Sequence, residues 1–327
     1  MTTQSPQDFD QYYLSQIRPV LAKLERKRKR ILSKVAMVGV GLCILIAVVA
    51  AILAFNRIPP LAALFGLIPA LIIFAVTTHF MTRDYKAHFK AHVMGAVARY
   101  FDPSLKYSAG GSVSLSHFVG SGMFQTQPDR YSGEDFVSGT LGKTAVQFSE
   151  IHAEYKTVTY DSKGNRQETW VTIFRGLFFV GDFNKEIKGT TVVHPDVAER
   201  LLGRVGKMLQ SLSTTFSDAE LIKLEDPEFE KHFVVYGDDQ VEARYILTPN
   251  LMRRILNFRE VTGRGLHLSF TGQNVYVGVS STRDMFEPRV FRTVFSRKLI
   301  KGYVADMAMA VGVVEELNLN RRIWTKR

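Results

Sequence analysis

Glu150, His152 and Glu154 are the residues of this chain best spaced for chemistry. Successive side chains of a β-strand alternate between faces, so these three would share one face and offer carboxylate, imidazole and carboxylate together. Such a set can ligate a divalent metal or divide general acid and base work among its members. Val146 and Phe148 fall in the same alternation, so the face also reads as an ordinary one that turns from apolar to polar toward a solvated strand end. Two further acidic groupings stand out, Asp182 in the run Asp182-Phe183-Asn184-Lys185 and the pair Asp238-Asp239. Either could bind a cation, and either could be turn chemistry, because Asp carboxylates accept hydrogen bonds from nearby backbone amides. Asp84, His88 and His92 form an i, i+4 series along one helix face, which suits a metal or a solvated surface.

Other fragments of known motifs fail on context. Gly142-Lys143-Thr144 ends like a phosphate-binding loop, but Val137 stands where the first glycine belongs and the surroundings are strand to strand. Gly263-Arg264-Gly265 reads as a helix-to-strand turn. Cys43 is the only cysteine, so the chain forms no internal disulfide and no thiolate metal cluster. No resident cofactor is expected from any of these patterns.

The elements that would hold these groups follow from periodicity. Strands are predicted over Asp135 to Leu141 and Thr144 to Val158, around the Gly142-Lys143 turn, with a long strand from Glu168 to Val180 after the turn at 161–165. The run Gly120 to Gly133 reads as irregular chain. A short strand at Thr190 to Val193 leads to an amphipathic helix from Asp196 to Leu209. Thr248-Pro249 opens another helix as N-cap and first turn, and Gly263 closes it. A hairpin is predicted next, Leu266 to Phe270 and Val275 to Val279 turning at Gly272-Gln273-Asn274, and then a last helix from about Leu299 to Leu317. Meandering strands with segregated helices mean α+β.

Two apolar runs, Val35 to Phe55 and Leu61 to Phe80, precede that domain and hold no Asp, Glu, Lys or Arg. About 20 helical residues match the ~30 Å hydrocarbon layer. The expected architecture is therefore a two-helix transmembrane hairpin followed by a cytosolic α+β domain of antiparallel sheet with packed helices. Its divisions are a basic N-terminal helix (1–34), the hairpin (35–55 and 61–80), a juxtamembrane helix (81–103), the domain (104–320) and a basic tail (321–327). Phe89, Val93 and Val97 give the juxtamembrane helix an apolar side, and Tyr13, Ile17, Val20, Leu21 and Leu24 do the same for the N-terminal helix, so the two are expected to run together as a stalk interrupted at Pro19. Gly39, Cys43, Ala47 and Ala51 in the first span, and Ala62, Gly66 and Ala70 in the second, recur at a four-residue spacing that would let the helices pack closely or the chain self-associate as a homo-oligomer.

Charge fixes the expected orientation. The formal net charge is +11, and eight basic groups against three acidic ones lie in residues 1–34. Arg26, Lys27, Arg28, Lys29, Arg30 and Lys34 form a collar before the first span, four more basic residues follow the second, and the loop between has only Arg57. Both termini are then expected in the cytoplasm. Residues 104–327 carry 29 basic and 26 acidic groups, so the globular part is nearly neutral and nucleic acid is not an expected partner. A collar beside the spans suits anionic headgroups instead.

Several stretches resemble a bacterial membrane-protein family, domain of unknown function 3137. They are Glu150-Ile151-His152, Gly176-Leu177-Phe178-Phe179, Asp182-Phe183-Asn184-Lys185 and Tyr236-Gly237-Asp238-Asp239-Gln240, the last leading through Glu242-Ala243-Arg244-Tyr245 to Leu247-Thr248-Pro249. The resemblance spans about 118–291 and implies a bacterial inner-membrane protein with no assigned activity, cofactor or catalytic residue. The expected role is a membrane-tethered binding or scaffolding module for lipid headgroups or a protein partner in an envelope complex, engaged through the collar or the aromatic run Phe178-Phe179. The alternative is a membrane-anchored, metal-dependent enzyme built on Glu150, His152 and Glu154.

Overall fold

A computed structural model describes residues 6–56, 62–160, 162, 164–196 and 220–319. The helix expected from Asp196 to Leu209 and the basic tail lie outside these residues. The chain divides into two compact units, one of Val97–Phe286 with the chain from Tyr303, the other of the chain up to Ala96 with Glu287–Gly302.

The second unit is helical. Helix α1 (Pro6–Tyr12) passes through one π-turn (Tyr13–Ile17) into α2 (Arg18–Phe55). The helix is thus not interrupted at Pro19. Proline has no N–H to donate, and the wider turn just before it absorbs the missing bond. Helix α3 (Ala62–Phe89) runs on through Pro69, and a second π-turn (Lys90–Met94) leads to α4 (Gly95–Phe101). The predicted stalk faces are buried: Tyr13, Ile17, Leu21 and Leu24 on one side, Phe89 and Val93 on the other, with the Tyr12 hydroxyl donating to Ala96 O at 2.9 Å. His88 and His92 are exposed, each with Nδ1 on the carbonyl four residues back, as on a solvated helix face.

The collar is not uniform. Arg26, Lys29, Arg30 and Lys34 are exposed and Lys27 is half-buried, whereas Arg28 is buried. Arg28 pairs with buried Glu25 at 2.6 Å and donates to Val290 O at 3.1 Å, while Glu25 accepts from Val294 N at 3.3 Å. Arg28 is therefore spent inside this unit, fastening the 287–302 segment. Past Lys34 the surface of α2 turns apolar, with Met37, Val40, Ile44, Leu45, Val48 and Ile52 all exposed. Among the described residues one helix, Asp8–Leu53, is long and apolar enough to cross a membrane by length and composition. Gly39 packs beside the Phe74 ring, and Cys43 and Ala47 line an open apolar groove.

The first unit is α+β, and its described residues form a seven-stranded antiparallel sheet with helices. Its strands are β1 (Lys106–Ser108), β2 (Arg130–Leu141), β3 (Thr144–Tyr160), β4 (Arg166–Pro195), β5 (Glu220–Ile222), β6 (Phe233–Gly237) and β7 (Leu266–Ser280). The helices are α5 (Leu115–Gly120), α6 (Pro227–Glu230), α7 (Gln240–Ile246), α8 (Pro249–Thr262) and α9 (Arg297–Glu316), the last beginning in the other unit. The β2–β3 turn closes with Leu141 opposite Thr144, and Gly142 takes φ +64, so the Gly-Lys pair is a hairpin turn. Thr248 caps α8 by accepting from Leu251 N, and Gly263 ends it at φ +61.

Two expectations change. The strands predicted at Glu168 to Val180 and at Thr190 to Val193 are one strand, β4, and the predicted hairpin at 266–279 is one strand, β7, paired along β4 from Gly176↔Ser280 to Val193↔Leu268. Gly272, with φ +59, sits in a bulge, so the turn signal was real but bends a strand instead of reversing it. The other edge of β4 serves β3 up to Gly181 and β6 from Thr191. Alternation places Phe178 and Phe179 on opposite faces, and both are fully buried. Phe178 joins Phe118, Phe124, Tyr131 and Phe174 in an aromatic cluster, and Phe179 stacks on Phe148 at 6.2 Å. That run is core on both sides of the sheet, not a docking surface.

Candidate functional site

A bulge in β2 builds the most chemically suggestive pocket. Glu134 pairs with Glu150 and Val137 with Phe148, so Asp135 and Phe136 together oppose Ser149. Asp135 takes φ +60, a left-handed conformation uncommon outside glycine. In a regular strand Glu134 and Asp135 would point to opposite faces. The bulge turns both toward Glu150, and carboxylate oxygens of the three lie within 4.8 Å of one another. Gly133 makes room, since a Cβ there would lie 2.6 Å from Glu150 O. The Tyr107 hydroxyl donates to Asp135, and Glu150 accepts from Met285 N at 2.9 Å.

The pocket holds about 310 Å³ and is lined by Ser132, Gly133, Glu134, Glu150, Ile151, His152, Arg175 and Asp284. Glu150 and Asp135 are buried, Glu134 partly so. Burial pushes the Glu150 carboxyl up to about 7; the Met285 amide opposes the rise, and Asp135, Asp284 and Glu134 add to it. Three carboxylates so close cannot all ionise cheaply without a cation, and their hard oxygens suit magnesium, calcium or manganese.

Of the residues singled out from sequence, Glu150 and His152 line this pocket together. Glu154 does not; it is held by Arg130 at 3.2 Å and sits 3.5 Å from His152 Nε2. Asp182 and the pair Asp238-Asp239 do not line it either. Asp182 accepts from Asn184 N at 2.9 Å inside the β4 bulge, where Asn184 has φ +55. Asp239 is the N-cap of α7, accepting from Val241 N and Glu242 N. Asp238 accepts from Thr190 N at 2.8 Å, and Glu242 accepts from Lys188 N and Gly189 N at 3.0 and 2.8 Å. These amides belong to the part of β4 between its pairing with β3 and its pairing with β6, so the carboxylates supply acceptors that no strand provides there. Sequence reasoning missed Glu134, Asp135, Arg175 and Asp284. The available signal was Gly133-Glu134-Asp135, a glycine followed by adjacent carboxylates at a strand entrance.

Residues 172–319 match a family model described as "Protein of unknown function (DUF3137)". This stretch is similar to the DUF3137 family. It starts and ends later than the 118–291 expected from residue resemblance, and it carries Arg175 and Asp284 of the pocket but not Glu134, Asp135 or Glu150. No curated protein matches the chain. Among solved structures, the crystal structure of the mycobacterial trehalose monomycolate transport factor A, TtfA, is similar at 9% identity, covering 70% of this chain and 96% of that one with a TM-score of 0.36. That likeness is too distant to bear on function.

Proposed function

We propose that this protein is a membrane-tethered binding module, with residues 35–55 and 61–80 as a hairpin in a bacterial inner membrane, both termini in the cytoplasm, and the DUF3137-containing α+β unit as the part that takes a partner in an envelope complex. The observation that carries the tether is the exposed apolar surface of α2 from Met37 to Ile52, next to exposed Arg26, Lys29, Arg30 and Lys34. A surface of that extent is costly in water and stable in lipid. The binding role is supported by how most of the conspicuous polar groups are used: Asp182, Asp238 and Asp239 serve backbone amides of the fold. Cys43, exposed on α2 and the single thiol, tests the tether. In intact membranes it should resist a membrane-impermeant maleimide and react after denaturation in detergent. Full labelling in intact membranes would defeat the proposal. In a Cys43→Ala background, a cysteine at Asn56 should react from outside the cell and one at Ser162 only after lysis.

A second reading, a metal-dependent enzyme, draws on the Glu134, Asp135 and Glu150 cluster. Manganese titrated into the detergent-purified protein decides its first requirement. Saturable binding at one ion per chain, lost in Asp135→Asn, would favour it, and absence of binding at millimolar metal would end it.

A further inference from the structure

Arg175 also lines a second, larger cavity of opposite character. It encloses about 650 Å³ and is lined by Arg175, Arg264 and Arg283, by the hydroxyls of Ser280, Ser281 and Thr282, by His267, and by Thr172, Ile173 and Phe174. No carboxylate is among those residues. Each arginine comes from a different segment: Arg175 from β4, Arg264 from the turn between α8 and β7, and Arg283 from the chain leaving β7. Gly263, in the left-handed conformation that ends α8, sets the turn that carries Arg264.

The arginines are not consumed by the fold. Arg175 pairs with Asp284 and Arg283 with Asp306, but a guanidinium has five N–H donors and a carboxylate occupies at most two or so. Arg264 makes no ion pair among the described residues, although its charge acts on the Asp306 carboxylate, and its Nη1 lies 3.8 Å from Met285 Sδ. His267 adds polarity without positive charge. Its Nδ1 lies 2.9 Å from Nδ1 of buried His194, which also bonds the Met123 backbone, and burial keeps both rings far more acidic than free imidazole, near 3 and 4. The other His267 nitrogen, Nε2, lies 3.5 Å from Ser280 Oγ. An imidazole so reluctant to take a proton is a poor general base at neutral pH, which favours a binding pocket over a catalytic one.

We infer that this cavity binds a phosphomonoester group through Arg175, Arg264 and Arg283, assisted by the hydroxyls of Ser280, Ser281 and Thr282. Planar guanidinium forks match tetrahedral oxyanions bidentately, and a phosphomonoester offers three oxygens and close to two charges at neutral pH. The volume exceeds what one phosphate fills, and Ile173 and Phe174 provide an apolar wall for the group that carries it. That carrier can be a lipid or a soluble metabolite, since both present the same headgroup chemistry.

Radiolabelled inorganic phosphate is the probe, titrated against the full chain in a neutral detergent with chloride as the only other anion. Saturable binding at one per chain is expected, weakened at least tenfold in Arg264→Gln and in Thr282→Glu. Thr282 is exposed, so the second variant places a carboxylate at the cavity without disturbing the core. Circular dichroism confirms that each variant is folded. Absence of saturable binding, or binding unchanged in both folded variants, overturns the assignment. Competition then identifies the carrier: short-chain phosphatidic acid displacing phosphate tenfold better than glycerol 3-phosphate supports a lipid, and equal displacement supports a soluble phosphomonoester. The membrane tether is tested separately through Cys43, so either reading can fall alone.

Discussion

Glu150→Gln should make the protein more stable in alkaline solution and leave it nearly unchanged in acid. The wild-type carboxyl is moved from 4.5 to about 7. At about 1.4 kcal/mol per tenfold change in acidity, the ionised form is disfavoured by roughly 3 kcal/mol. The direction follows from proton counting. Between about 4.5 and 7 the folded state retains a proton that the unfolded chain has lost, so stability falls as pH rises through that window. Below it the penalty is absent, and above it the penalty is fully present. Glutamine is nearly isosteric, its carbonyl can still accept from Met285 N, and it removes the charge facing Asp135, Glu134 and Asp284. Thermal unfolding of both proteins in detergent at several pH values, followed by circular dichroism, reads the difference. A gap of about 3 kcal/mol is on the order of 6–12 °C for a domain of this size, expected near pH 8.5 and shrinking to about zero near pH 4.5. Parallel melting curves at every pH, or a variant destabilised throughout, would refute the electrostatic account of this pocket.

Burial of the two imidazoles acts in the opposite sense, because the unfolded chain takes up protons at His194 and His267 near 6.5 while the folded state resists until about 4 and 3. Stability should therefore decline as pH drops below 6.5, and His267→Gln should flatten that acid limb in the same melting series. Gly176→Ala should prevent folding or cost more than about 3 kcal/mol, since Gly176 has φ +146 and a Cβ there would lie 2.1 Å from Val279 O; the yield of monodisperse protein extracted in detergent checks it. Phe118→Ala should cost about 3–5 kcal/mol by emptying the centre of the aromatic cluster, read from the denaturation midpoint. Thr248→Ala removes only the α8 cap and should cost about 1 kcal/mol in the same assay.

Short-range signals in the sequence were sufficient wherever a local rule decides the structure. Thr248-Pro249 and Gly263 delimit α8, Gly142-Lys143 turns β2 into β3, and the stalk residues other than half-buried Val20 are buried at the helical spacing read from them. Elements whose form depends on a distant partner were misread. Gly272-Gln273-Asn274 has turn composition, yet β7 runs straight through it because β4 holds both halves. The carboxylate pocket was half legible for the same reason. Alternation puts Glu150 and His152 on one face, but Asp135 joins the carboxylates only through a bulge defined by pairing with β3, and Arg175 and Asp284 arrive from elsewhere in the fold. Arg28 shows the limit of charge patterning, since its inward turn depends on Glu25 and on backbone groups about 260 positions further along the chain.

Strand β4 has a practical consequence for anyone who cuts the gene at the family boundary. The DUF3137 region begins at residue 172, within β4, so a fragment starting there lacks all of β3. Residues 176–181 would then present an unpaired strand edge, with Phe178 and Phe179 stripped of their cover from Phe118 and Phe148. An open edge flanked by large aromatic side chains templates sheet growth between molecules. Such a fragment should precipitate as it is made.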